Sequence, residues 1–188
     1  VEPLVQGAGG MKMYEAEGLN SLLKTCREHD ILCIADEVMT GFGRTGKLFA
    51  SEYMEQQPDI ICLSKGLTGG TMALGVTACN EKVYNAFVDD DKLKTFFHGH
   101  SFTANPLACT AALASLDLLL KDDCRRQIEH IADKNQTFIQ RLETPSDRVI
   151  RSDSILEPRR SGAGSVTIKS PRQLGTIIAF ELATGNDE

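Results

Sequence analysis

Hydrophobic positions change spacing along the chain, and each change predicts an element. Between Glu15 and His29, Leu19, Leu22, Leu23 and Cys26 recur at steps of three and four, which is one face of an amphipathic helix. The unbroken apolar run ILCIA, Ile31 to Ala35, follows and ends at Asp36. A second run, DIICLS from Asp59 to Ser64, ends at Lys65. Continuous runs of this kind suit strands buried on both faces, as in parallel sheets. Residues 73–78 predict a third strand, entered through the turn-rich GLTGGT. Asn105-Pro106 is a helix start, because Asn can cap and Pro fits the first helical position. The Ala- and Leu-rich stretch to Leu120, continued by Cys124, Ile128, Ile131, Phe138 and Leu142, predicts one long amphipathic helix. Period is lost from Thr144 to Pro171, which reads as a loop or linker, and GTIIAFEL reads as a last strand. Helices alternating with strands give an α/β fold. There is no internal repeat.

Composition narrows this picture. The 188 residues are enough for one domain with a real core, and 41% apolar with 24% charged residues is an ordinary globular profile. A net charge of -6 argues against nucleic acid or an anionic membrane as the main partner. No apolar run has the length of a membrane span. The six cysteines lie in apolar segments without a C-x-x-C pair, so they read as reduced core thiols of a cytoplasmic protein rather than disulfides or a zinc site. The chain opens on VEPLVQ, without an initiator Met, and closes just after a strand-like run. We therefore expect a portion of a longer chain, cut on both sides.

Candidate chemistry gathers at strand ends. In open α/β sheets, sites form outside the carboxyl ends of strands. Asp36 and Lys65 end two strands and could face one crevice; by themselves they read as readily as a salt bridge or two unrelated charged ends. GFGRTGK, Gly41 to Lys47, meets G-x-G-x-x-G and nearly meets the P-loop pattern. The P-loop needs Ser or Thr where Leu48 stands, and the dinucleotide motif needs a turn directly after the strand that opens a helix. A nucleotide site is therefore disfavoured. His98 and His100 form an H-x-H pair, but no nearby acid or cysteine completes a metal ligand set. No metal is expected.

Four segments, in order, resemble the class III aminotransferases of fold-type I. They are VEPLVQGAGGM (Val1 to Met11), IADEVMTGFGRTG (Ile34 to Gly46), PDIICLSKGLTGG (Pro58 to Gly70) and HGHSFTANPLAC (His98 to Cys109). The match covers Val1 to Leu120. The resemblance implies part of a large cofactor-binding domain over residues 1–143, with a mostly parallel sheet flanked by helices. A loop or linker over 144–172 and the start of a small C-terminal domain over 173–188 would follow.

The resemblance also implies roles. Lys65 stands where the family's lysine carries pyridoxal 5'-phosphate, and Asp36 where an aspartate pairs with the ring nitrogen. Val38 stands where an apolar side chain packs on the ring, with ordinary core packing close behind as the alternative. Ser101 stands where the family has a threonine whose hydroxyl reaches the cofactor phosphate of the neighbouring subunit, and Thr103 competes for that role. Arg44 and Gly99 are candidates for substrate contact; for Arg44 a structural ion pair is an equal alternative. A homodimer with shared active sites acting on small molecules is implied. The family's phosphate-binding loop and ring-stacking aromatic would lie before Val1, and its carboxylate-binding arginine beyond Glu188.

Within the class, VQGAGGM, LSKGLTGGTMALGVT and the apolar Met39 are similar to the branch that serves biotin biosynthesis. Other class III branches acting on ornithine, acetylornithine or 4-aminobutyrate, and an aminomutase, remain alternatives. His100, where proline is commoner, departs from the pattern, and residues 144–171 match poorly. A nucleotide-binding protein or a non-catalytic relative of the fold are readings of another kind.

Overall fold

The computed structural model describes residues 1–142, 149–150 and 166–184. A short antiparallel pair, β1 (Val5–Gln6) and β2 (Lys12–Met13), opens the chain. Helix α1 (Ala16–Glu28) follows, and it buries Leu19 and Leu23 with Cys26 half-buried. Leu22, expected on that face, is 49% exposed. The apolar stripe is therefore narrower than its spacing suggests.

The central sheet has the order β3-β4-β5, with β3 at Ile34–Asp36, β4 at Ile60–Leu63 and β5 at Val76–Cys79. β3 and β4 are parallel, with Asp36 opposite Cys62. The long segment 37–59 allows that crossover. β5 joins antiparallel, making the sheet mixed at this edge. The chain reverses sharply after β4 through the 3-10 turn Lys65–Thr68 and through Gly69 and Gly70, both at positive φ.

After β5 come α2 (Glu81–Asn85), capped by the Asn80 side chain, and the 3-10 turn Lys92–Lys94. Helix α3 (Pro106–Leu119) starts at the Asn105 cap, whose side chain accepts from the N–H groups of Leu107 and Ala108. It buries Ala108 and Ala112, small residues that let it approach the Lys65–Thr68 turn. The long helix expected beyond Leu120 is two helices. α3 ends at Leu119, and α4 (Asp122–Leu142) restarts with two aspartates in its first turn, where they meet the positive end of the helix dipole.

β6 (Val149–Ile150), β7 (Val166–Leu174) and β8 (Ile177–Thr184) make a second antiparallel sheet. β7 corrects the expected loop over residues 166–171. Its ladder shifts register between Lys169 and Arg172, a bulge that accommodates Ser170 and Pro171. The remainder of the expected loop, 144–148 and 151–165, lies outside the described residues.

Two apolar clusters hold these parts together. One joins Leu4 and Val5 to Met39, Ala50 and Ile177. The other joins α1 to the approach to β3 through Leu19, Leu23, Cys33 and Met54.

Candidate active site

Asp36 and Lys65 lie at the carboxyl ends of two hydrogen-bonded parallel strands. Neighbouring strands are about 4.8 Å apart, so the two residues open onto one edge of the sheet. Both are exposed. They form no salt bridge with each other among the described residues, which removes that simpler explanation for the pair. One carboxylate oxygen of Asp36 accepts the Val38 N–H at 3.0 Å. This local turn fixes the acid and half-buries Val38 beside it.

Lys65 has φ 40, in the left-handed region that side chains rarely adopt. Its turn is closed by local hydrogen bonds. Ser64 Oγ donates to the Leu74 carbonyl at 2.7 Å, and Thr68 Oγ1, in a buried residue, donates to the Met72 carbonyl at 2.6 Å. Ser115 Oγ on α3 donates to the Gly66 carbonyl at 3.4 Å.

Arg44 and Lys65 line one cavity of about 630 Å³, together with Phe42, Gly66 and Ser115. The Arg44 side chain is exposed and makes no ion pair among the described residues, while its carbonyl accepts from Thr176 N and Oγ1 at 2.9 and 3.0 Å. Gly99 lines a different cavity of about 960 Å³, which reaches Ser64 and includes His98, His100 and Thr103. Ser101 is not part of that lining and sits on the exposed turn 101–104. Thr103 Oγ1 accepts from the His100 N–H at 2.9 Å. Thus Asp36 and Val38 form one group, Lys65 and Arg44 share one cavity, and Gly99 shares another with Ser64.

The two histidines serve local structure. His98 packs against Phe96 with ring centroids 5.6 Å apart, and His100 Nδ1 accepts from the Phe102 N–H at 3.1 Å. GFGRTGK forms irregular turns, and the next helical element is the four-residue 3-10 turn Ala50–Tyr53. It therefore opens no helix onto which a phosphate could bind.

One residue of the site region was not foreseen. Glu37, beside Asp36, is 0% exposed. Its carboxylate accepts from Thr40 Oγ1 at 2.7 Å and from the N–H groups of Ala50 and Ser51 at 2.9 and 2.7 Å. A fully hydrogen-bonded buried carboxylate is a structural anchor. The DE pair in IADEV was the available signal, since two adjacent acids on a strand end point to opposite sides.

The fold is that of part of an α/β transferase of fold-type I. The chain belongs to the class III aminotransferases: the family model "Aminotransferase class-III" matches residues 1–173. It is similar to the adenosylmethionine-8-amino-7-oxononanoate aminotransferase of Synechococcus elongatus, 54% identical over 123 residues, covering 65% of this chain and 29% of that protein. The enzyme of the same name from Anoxybacillus flavithermus is 47% identical over 140 residues, covering 74% of this chain and 30% of that protein. The crystal structure of the Methanocaldococcus jannaschii enzyme of that name superposes with a TM-score of 0.79 at 31% identity, over 97% of this chain and 38% of that one. The chain thus spans less than a third of the length of these two curated relatives.

Proposed function

We propose that the full-length protein is a pyridoxal-phosphate-dependent aminotransferase that moves an amino group from S-adenosylmethionine to 8-amino-7-oxononanoate, giving 7,8-diaminononanoate for biotin biosynthesis. The observation that carries this reading is the pairing of an exposed amine, Lys65, with an exposed carboxylate, Asp36, at the ends of adjacent parallel strands. The relatives named for that reaction support the substrate choice.

The donor set fits the cofactor. A primary amine suits its aldehyde, and a carboxylate suits its ring nitrogen. Bound there, pyridoxal phosphate supplies an electron sink for the carbanion that forms when an amino acid loses its α proton. Lys65 holds the cofactor and then moves the proton at the substrate Cα. Asp36 keeps the ring nitrogen protonated. Val38 packs beside the ring, and Arg44 and Gly99 border the substrate. Ser101, with Thr103 as its competitor, serves the phosphate of a second copy's site.

In this reading the protein is a homodimer with shared active sites. The segment 93–113 favours it, since Leu93, Phe97, Phe102 and Leu107 are 70–82% exposed. Large exposed apolar side chains of this kind suit a contact surface. Residues 1–143 are part of the cofactor-binding large domain. Residues 173–188 begin the small C-terminal domain, and strand β7, Val166–Leu174, leads into it. As a biosynthetic enzyme with small-molecule substrates it would act in the cytoplasm.

The test uses full-length protein with pyridoxal phosphate, S-adenosylmethionine and 8-amino-7-oxononanoate. Diaminononanoate should form, and Lys65→Ala should abolish both turnover and the visible absorbance of the lysine-bound cofactor. Turnover with ornithine or 4-aminobutyrate instead would overturn the substrate assignment. An unchanged absorbance in Lys65→Ala would overturn the site.

A further inference from the structure

The β3–β4 ladder sets the spacing of the strands that end at Asp36 and Lys65, and contacts through the segment 41–49 add a second link between those ends. At the Asp36 end, buried Glu37 grips the N–H groups of Ala50 and Ser51. Phe49, directly before Ala50, sets its ring edge-to-face against Phe42, with centroids 5.6 Å apart and planes at 71°. Phe42 in turn lies against Gly66, the residue after Lys65. A Cβ at Gly66 would fall 2.8 Å from Phe42 Cβ and 3.1 Å from its Cδ2, so only glycine allows this approach.

Backbone strain flanks the contact on both sides. Phe42 has φ 61 and Lys65 has φ 40. Such conformations cost roughly 1–3 kcal/mol each and persist where the surroundings over-determine them. Ordinary core packing does not account for Phe42. Its ring is only half-buried, and its open side lines the cavity it shares with Lys65 and Arg44.

We propose that Phe42 is a positioning residue, whose ring sets the Lys65 turn at the reach cofactor linkage requires, with Phe49 and Glu37 anchoring it to the Asp36 strand. This rests on the reading of Lys65 as the cofactor lysine. GFGRTG is then a packing arm between the two strand ends. Its glycines let the backbone pass close to neighbours: a Cβ at Gly41 would meet the Glu37 carbonyl at 2.9 Å, and one at Gly43 would meet Ile128 Cδ1 at 2.8 Å.

The experiment compares wild type, Phe42→Ala, Phe42→Leu and Phe42→Tyr in the full-length protein. Each apoprotein is mixed with pyridoxal phosphate. The rate of visible-band formation, the pH midpoint of that band and the borohydride-trapped adduct on the Lys65 peptide are followed, beside the melting temperature. Misplacing a reacting group by a fraction of an ångström should slow adduct formation about tenfold in Phe42→Ala and shift the pH midpoint. Phe42→Tyr keeps the ring and should stay within about twofold of wild type. Phe42→Leu keeps the bulk without the flat ring and should fall between them, which preserves the comparison if the alanine variant does not fold. Wild-type rate and midpoint in Phe42→Ala, or in Phe42→Leu where only that variant folds, would overturn the proposal. So would losses that simply track melting temperature across the variants. No adduct at Lys65 in the wild type would overturn the Lys65 reading itself, and the proposal with it.

Discussion

The carboxylate of Glu37 accepts the backbone N–H of Ser51 at 2.7 Å, across fourteen residues of chain. With the Ala50 N–H at 2.9 Å it satisfies two donors that the first turn of a helix leaves open. Glu37→Gln keeps the shape but presents an NH₂ to at least one of three donors. We expect a loss of about 1–3 kcal/mol in unfolding free energy, read from urea denaturation. A variant as stable as wild type would show that the carboxylate is not the anchor.

Gly175 turns β7 into β8 with φ 58, and a Cβ there would fall 2.2 Å from the Thr45 carbonyl carbon. No side-chain adjustment relieves a clash with backbone. Gly175→Ala should therefore cost about 2–5 kcal/mol, combining left-handed strain with overpacking. The Thr176 N–H bond to the Arg44 carbonyl should be lost with it, and faster amide exchange at Thr176 would report that.

Asp36 is exposed and its carboxylate makes one local hydrogen bond, to Val38 N–H. Asp36→Asn can keep that bond through its side-chain oxygen, so the melting temperature should be little changed. Turnover of the full-length protein should fall by about a hundredfold or more, because the ring nitrogen loses its charged partner. An Asn variant with near wild-type turnover would remove Asp36 from the site.

Burial pushes the Tyr14 phenol above its ordinary value of 10.0, the Leu4 backbone hydrogen bond opposing this and the Glu2 charge adding to it. Burial and then the Glu52 charge do the same to Tyr53. Each hydroxyl also donates to a backbone carbonyl, Tyr14 to Glu2 and Tyr53 to Thr45. A raised folded value means the neutral phenol is favoured by folding. This stability is complete below the unfolded value near 10 and is lost as pH climbs through the folded values. Urea midpoints should hold at pH 8 to 9 and fall above about pH 10, and the double variant Tyr14→Phe, Tyr53→Phe should flatten that fall.

Elements carried by strong local signals were legible in the sequence. Asn105-Pro106 named the start of α3 because cap and first-turn chemistry are local. The apolar runs before Asp36 and Lys65 located β3 and β4, although each strand is shorter than its run. Other features depend on partners far along the chain. The gap between α3 and α4 at Leu120 and Lys121 was hidden, since the apolar period continues across it. β7 was hidden because Pro171 and polar neighbours imitate a loop, and only the register shift between Lys169 and Arg172 makes the strand possible. In the site region, Asp36 and Lys65 could be picked out because they end apolar runs. The DE pair marked Glu37 as a second acid, but its anchoring role and the role of Phe42 were hidden, because their partners Ser51 and Gly66 lie fourteen and twenty-four residues away with no periodic relation.

The Arg172 guanidinium donates to the carbonyls of Met11 at 2.8 Å and Gly10 at 2.7 Å, across 161 and 162 residues of chain. The turn between β1 and β2 therefore waits for a side chain made much later. At ribosomal speeds of about 5–20 residues per second, the interval is on the order of ten seconds. During that time Leu4 and Val5 also lack Ile177, their neighbour in the finished cluster. The nascent chain thus carries the Leu4–Val5 apolar edge unfinished until Ile177 has been made.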